Sequence, residues 1–206
     1  VVSGGELFTA LKAGFPADKI YMHGNNKLVS ELEYALQNDV GTIVVDSYSE
    51  LDTLDTLSEK YGKRQSILIR VNPGVDAEYT IRKKHLKLKG YHCHIGSQIF
   101  EKQSFILAAD KMMAFIREMK DKFAFEADTL NLGGGYGIWY TDEDAKISCD
   151  GYAEYLQALI AEIAAKAKAY DVKKPFLLIE PGRSIVGEAG ITLYTVGAIK
   201  DIPGVK

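Results

Sequence analysis

The chain has 206 residues, 47% of them apolar and 26% charged, with a net charge of −3. That suits one large soluble domain with a real core. A balance slightly acidic, with pI near 5.9, offers no basic stripe for nucleic acid and no polybasic patch for a membrane surface. Two cysteines, Cys93 and Cys149, are too few for a disulfide scaffold, so a reducing, cytoplasmic setting is expected. No apolar run approaches a membrane span and no signal peptide is visible. The opening "VVSGGE" lacks an initiator methionine, so a fragment is expected.

Short β-branched runs alternate with longer amphipathic ones. In chain order, residues 5–13 read as a helix with Ser3 as N-cap, 19–23 (KIYMH) as a strand, and 28–37 as a helix with Leu28, Leu32, Ala35 and Leu36 on one face. A strand at 42–46 (TIVVD), a helix at 49–60 and a strand at 67–71 (ILIRV) follow. Residues 77–85 show no helical stripe, although a parallel crossover takes a dozen or more residues; residues are expected to be missing between about Asp76 and Arg82. Next come a strand at 91–95 (YHCHI), a helix at 103–122, a strand at 129–133 (TLNLG), a helix at 150–169 capped by Asp150 or Ser148, and a strand at 176–180 (FLLIE). Val1 and Val2 read as the tail of a further strand, and 191–201 as a strand leaving the domain.

Alternating strands and helices imply parallel strands with right-handed crossovers. Both an open doubly wound sheet and a (β/α)8 barrel fit. The barrel is favoured because polar and glycine-rich residues recur at nearly every strand's C-terminal end: 23–26, 45–47, 71–74, 94–98, 132–137 and 180–183. A barrel gathers those ends into one ring, where barrel active sites lie.

The segment 90–98, GYHCHIGSQ, places two histidines about a cysteine. Zinc needs three or four ligands, more than this strand supplies, so no metal is expected there. Side chains alternate along a strand, so His92 and His94 share a face and Cys93 points away, into the helix layer. His94, one residue before a glycine turn, is placed to stack on a flat ligand, with the Ser97 hydroxyl available to a phosphate and Gln98 at the mouth. Gly133, Gly134 and Gly135 let backbone N–H groups approach a phosphate, or form a tight packing turn. They match neither the dinucleotide fingerprint nor a P-loop. Glu180 and Arg183, about the turn fixed by Pro181 and Gly182, could hold a cation, a ring nitrogen or a carboxylate, or form a surface ion pair of little weight. The loop 23–26 (HGNN) reads as a polar loop capping the next helix, Asp46 and Asn72 as mouth residues or backbone partners, and Cys149 as a loop cysteine.

Taken in order, VVSGGEL, GNNK, RVNPGVD, GYHCHIGSQ, LNLGGGYGI, EPGRSIVGEAG and TLYTVGAIKD closely resemble the diaminopimelate decarboxylase family, of the alanine-racemase-like, fold type III class, over essentially the whole chain. The resemblance implies pyridoxal 5'-phosphate across a barrel mouth. His94 would stack on its ring, Ser97 and Gly133–Gly135 would hold the phosphate with Gly135 as the main backbone donor, and Glu180 would keep the ring nitrogen protonated. His94 and Glu180 are thus the catalytic residues, Pro181 and Gly182 complete the cofactor loop, and Arg183 binds a substrate carboxylate. The implied reaction is decarboxylation of meso-2,6-diaminopimelate to L-lysine, in a cytoplasmic homodimer acting on a small amino acid. The family's Schiff-base lysine motif, of the form YAxKAN, does not occur, and neither cysteine matches the catalytic one of the family's second domain. Residues 1–190 are therefore expected to be a partial barrel lacking its first strand, 191–206 the lead into a β domain, and the fragment inactive, with open sheet edges that invite aggregation. Alternatives are an ornithine, arginine or carboxynorspermidine decarboxylase of the same fold, or a homologue without catalysis. A phosphosugar barrel enzyme would use the glycine loop but leave His94 and Glu180 together unexplained.

Overall fold

The structure, a computed structural model, describes residues 1–71 and 77–198. Its strands are β1 (Tyr21–Met22), β2 (Thr42–Val45), β3 (Gln65–Arg70), β4 (Leu86–His92), β5 (Thr129–Asn131) and β6 (Phe176–Leu178). Its α-helices are α1 (Gly4–Lys12), α2 (Val29–Gln37), α3 (Tyr48–Lys60), α4 (Ala77–Ile81), α5 (Lys102–Phe123), α6 (Cys149–Ala169) and α7 (Arg183–Val186). The six strands form one sheet in the order β1-β2-β3-β4-β5-β6, every pair parallel. A doubly wound sheet reverses its strand order at a switch point. This one never does, so it curls as a partial (β/α)8 barrel. Val1 extends it: its amine donates to Tyr21 O at 2.9 Å and its carbonyl accepts from His23 N at 2.7 Å, the pattern of a parallel partner beside β1.

Hydroxyl caps start three helices as the chain's serines allow. Ser3 Oγ accepts from Glu6 N at 3.2 Å, Ser47 Oγ from Glu50 N at 3.3 Å and Ser148 Oγ from Gly151 N at 3.1 Å. Helix α2 is different. The HGNN loop gives it no side-chain cap; instead Glu31 reaches back, accepting from Leu28 N at 2.9 Å and from Gly4 N at 2.6 Å. Cys149 is not in a loop, because Ser148 caps the helix that it opens.

Side-chain parity assigns the two faces of the sheet. Met22, Ile43, Val45 and Ile67 pack in one apolar cluster with Leu7, Leu32, Leu36, Leu51 and Leu54 of α1–α3. Ile69, Tyr91, Cys93, Leu130 and Leu132 pack in a second with Phe105, Ala109, Met112, Ile116 and Leu159 of α5 and α6. The i, i+4 stripe of α5, Phe105–Ala109–Met113, then Ile116, accounts for its 22-residue length, since each fully buried large apolar side chain contributes roughly 1.5–3 kcal/mol. The alternate positions, Val44, Leu68, His92, Asn131 and Leu178, face the inside of the curl.

A register shift between β3 and β4 sets this parity. Ile67 pairs with Leu88, but Leu68 pairs with Gly90, so Lys89 is an extra residue. The bulge turns His92 inward and Tyr91 outward. Gly90 permits it, since a Cβ there would lie 1.8 Å from Thr129 O.

The β3–β4 connection contains a five-residue helix, Ala77–Ile81, where the sequence shows no helical stripe; Asn72 lies outside the described residues. Residues 191–198 carry no regular structure, against the expected strand, and Ile191, Leu193, Tyr194 and Val196 are exposed. The rest of that segment, 199–206, lies outside the described residues. No helix among the described residues is long and apolar enough to cross a membrane.

Candidate functional site

Three loops converge beyond the C-terminal ends of β4, β5 and β6. The β5 loop lies between the other two and touches both through glycine backbone. A Cβ on Gly134 would meet Glu180 O at 1.9 Å, and one on Gly135 would meet Gly96 O at the same distance. Hydrogen bonds lock the contacts: Glu180 N donates to Gly133 O at 2.8 Å, and Ile99 N to Gly135 O at 2.9 Å. Gly133 and Gly135 also have φ of +67° and +91°, conformations that favour glycine.

This brings the expected residues together. His94 is exposed at the rim, its Nδ1 3.4 Å from Gly134 N. Gly133 N donates to Asn131 Oδ1 at 2.9 Å. The Gly135 N–H has no hydrogen-bond partner among the described residues, which leaves it available to a ligand. Arg183, on the short α7 that follows Pro181 and Gly182, donates to Ser97 Oγ and, at 2.9 Å, to the Tyr140 hydroxyl. Gln98 clamps Ile138 through both amide atoms, its Nε2 donating to Ile138 O at 2.6 Å and its Oε1 accepting from Ile138 N at 3.2 Å.

Glu180 is the charged centre. Asn131 Nδ2 donates to its Oε1 at 2.7 Å, His23 Nε2 touches the same oxygen, and His92 Nε2 lies 3.7 Å away. Burial alone would raise this carboxyl. The close His23 imidazole, His92 and the Asn131 donor overcome it and hold the pKa at about 2. His92, 2% exposed, goes the other way: burial first, then neighbouring positive groups, depress it to about 3. The interior therefore holds a neutral imidazole under a carboxylate that stays ionised. Glu180, His23, Asn131, Pro181 and Gly182 line a cavity of about 510 Å³ together with Val1, Tyr21 and Ile185.

Cys93 behaves as its strand position implies. It is buried against the helix layer, and burial pushes its thiol up to about 12. Sequence reading passed over His23 and Asn131. His23 looked like part of a capping loop, and only the period-two parity of TLN could have put Asn131 beside His92. Asp46, just after β2, lies 3.3 Å from Arg70 Nη1. Lys27 of the same GNNK loop is the hidden element of that region. Its ammonium, 1% exposed, meets Glu50 at 2.7 Å and donates to Val44 O at 2.8 Å.

Residues 1–80 and 76–187 match the pyridoxal binding domain of the pyridoxal-dependent decarboxylases. The chain is 42% identical to a diaminopimelate decarboxylase of Bacillus methanolicus over 234 aligned residues, covering all of this chain and 54% of that protein. A crystal structure of diaminopimelate decarboxylase from M. jannaschii superposes with a TM-score of 0.82 at 32% identity, over 98% of this chain and 52% of that one. A second, in complex with L-lysine, gives 0.78 at 31% identity, over 90% and 48%. The chain thus spans about half the length of its relatives. The aligned length exceeds its 206 residues, and the two domain matches meet at 76–80, where the connection between β3 and β4 is short.

Proposed function

The chain belongs to the pyridoxal-dependent decarboxylases, and from that premise we propose that it forms the cofactor cup of an enzyme that decarboxylates meso-2,6-diaminopimelate to L-lysine. Glu180 carries the reading: a carboxylate held ionised at the cavity wall, beside a glycine loop with a free N–H. The residues fit pyridoxal 5'-phosphate, because the glycine cradle has no space for a Cβ and its Gly135 donor is unused. When bound, that cofactor supplies an electron sink for the charge left by loss of CO2.

Glu180 would keep the ring nitrogen protonated. Its carboxylate is fixed by Asn131 and does not need to lose a proton first. His94 would cover one ring face. Ser97 Oγ and Gly135 N–H would bind the phosphate, with Gly133 and Gly134 shaping the loop and Pro181 and Gly182 setting the turn. Arg183, exposed beside Ser97 and Tyr140, would take a substrate carboxylate in its planar fork. A cytoplasmic homodimer completes the reading, with Cys93 kept as a buried thiol.

Equilibrium dialysis of the 206-residue chain against pyridoxal phosphate tests the cup. One equivalent should bind, and Glu180→Gln should weaken binding at least tenfold. The isolated chain should release no CO2. The full-length protein should release it from meso-diaminopimelate in preference to ornithine or arginine. Binding indifferent to Glu180→Gln, or preference for ornithine, would overturn the proposal.

A further inference from the structure

Three ligand-type side chains gather on the inner face, and the cofactor roles above leave two of them unused. His23 from the end of β1, His92 from β4 and Glu180 from the end of β6 each place a nitrogen or carboxylate oxygen within 4.8 Å of the others. His92 is 2% exposed, yet neither ring nitrogen has a hydrogen-bond partner among the described residues. His23 Nε2 touches Glu180 without hydrogen-bond geometry and is unsatisfied too. Buried polar atoms of this kind are rare without an outside partner such as a water or an ion. Two imidazoles from different strands therefore aim ring nitrogens at one carboxylate.

We propose that His23, His92 and Glu180 form a binding site for a divalent transition ion of the zinc class, with an open coordination position facing the cavity. Two imidazoles and a carboxylate are the donor set of open zinc sites, with three protein ligands and one exchangeable position. Magnesium and calcium take oxygen-rich shells and are disfavoured by two nitrogens. Metal–ligand bonds of about 2.0–2.1 Å place tetrahedral ligand atoms roughly 3.3 Å apart. His92 and Glu180, at 3.7 Å, need only a small approach, and His23 withdraws slightly from the carboxylate. His23 and Glu180 line the cavity while His92 lies beneath them, so the fourth position opens toward the cavity. Asn131 donates at 2.7 Å to the same Glu180 oxygen that faces the histidines and so orients the carboxylate. If Glu180 also serves the cofactor's ring nitrogen, as proposed above, metal and cofactor are alternative occupants; this part of the inference rests on that reading.

Cobalt(II) is the probe, since it accepts zinc's ligands and absorbs in the visible when four- or five-coordinate. Titration of the chelator-treated, cofactor-free chain with CoCl2 should give a visible band saturating at one equivalent and bleached by ZnCl2. His23→Ala and His92→Ala should each weaken binding at least tenfold. His85→Ala, at the far end of β4 beside Asp55, should not. His23, 13% exposed, is the safer variant for folding, checked by circular dichroism. Lack of a saturable band in the unmutated chain, or a band that survives His23→Ala, overturns the site. Zinc-loaded chain should bind pyridoxal phosphate at least tenfold more weakly, and equal binding overturns the sharing of Glu180. A cobalt band without cofactor binding supports the metal site and refutes the cofactor cup. Cofactor binding without a band does the reverse.

Discussion

Substituting Gly134 by alanine puts one methyl group where the β5 and β6 loops meet. Its Cβ would lie 1.9 Å from Glu180 O and 2.9 Å from the carbonyl carbon, where real contacts rarely fall below 3.0 Å. The loops must part by about 1 Å or more, because the opposing atom is backbone and has no rotamer to change. That motion breaks the Glu180 N to Gly133 O bond. Overpacking costs about 1–3 kcal/mol and the lost hydrogen bond about 0.5–1.5 kcal/mol, so Gly134→Ala should destabilise by roughly 2–4 kcal/mol. Urea unfolding followed by circular dichroism measures it, with cofactor binding read on the same samples. Gly5→Ala is the control. It lies in the first turn of α1 with its nearest neighbour at 3.9 Å, and the substitution should stabilise by about 0.4–1 kcal/mol by restricting the unfolded chain. A Gly134→Ala protein within about 0.5 kcal/mol of the parent, the scatter of ordinary surface substitutions, and with unchanged cofactor binding, would refute the close contact of these loops.

Lys27→Met should cost about 3–5 kcal/mol, because it strands the buried Glu50 carboxylate, while adding Glu50→Leu should recover much of the loss; a double-mutant cycle in urea decides. Burial depresses His92 in the folded chain to about 3, below its unfolded value of 6.5. Its contribution is therefore complete above pH 6.5 and falls away as pH drops from 6.5 towards 3. Urea midpoints at pH 7, 5.5 and 4.5 should decline, and His92→Leu should flatten that decline; an unchanged slope would rule out His92 as its source. Cys93 should resist iodoacetamide at pH 8 in the native state and react after unfolding, as peptide mapping by mass spectrometry would show, since its thiol is held at about 12.

Periodicity is local, and so most of the elements were readable from it. Runs such as TIVV and FLL have a strand's composition wherever they sit, and serines at 3 and 148 stand where helix caps belong. The gathering of glycines after β5 and of EPGR after β6 pointed to one mouth, because parallel strands present all their C-terminal ends on one side. The bulge at Lys89 was not readable, since it depends on how β4 slides against β3, although alternation from Cys93 already put His92 on the face away from the helices. His23 escaped for a similar reason: its partner is at the far end of the chain, and curl rather than spacing brings them together. Lys27 could not be read as buried, because an isolated lysine after two asparagines looks solvated until Glu50 is placed opposite. The helix at Ala77–Ile81 has too few residues for a stripe to register.

The strand order also has a consequence for how the protein is made. Every strand pairs only with its neighbour in sequence, so each new βα unit can dock on the one before it as the chain leaves the ribosome. Side-chain contacts at the charged centre reach further: His23 and Glu180 join the first and last described strands, and His92 of β4 lies against both. The scaffold can therefore condense progressively while its charged centre waits for β6. Synthesis arrested before Pro175 would yield a chain with both apolar clusters largely laid down and no Glu180 opposite His23. Completion of the site thus reports that the whole sheet has been laid in order.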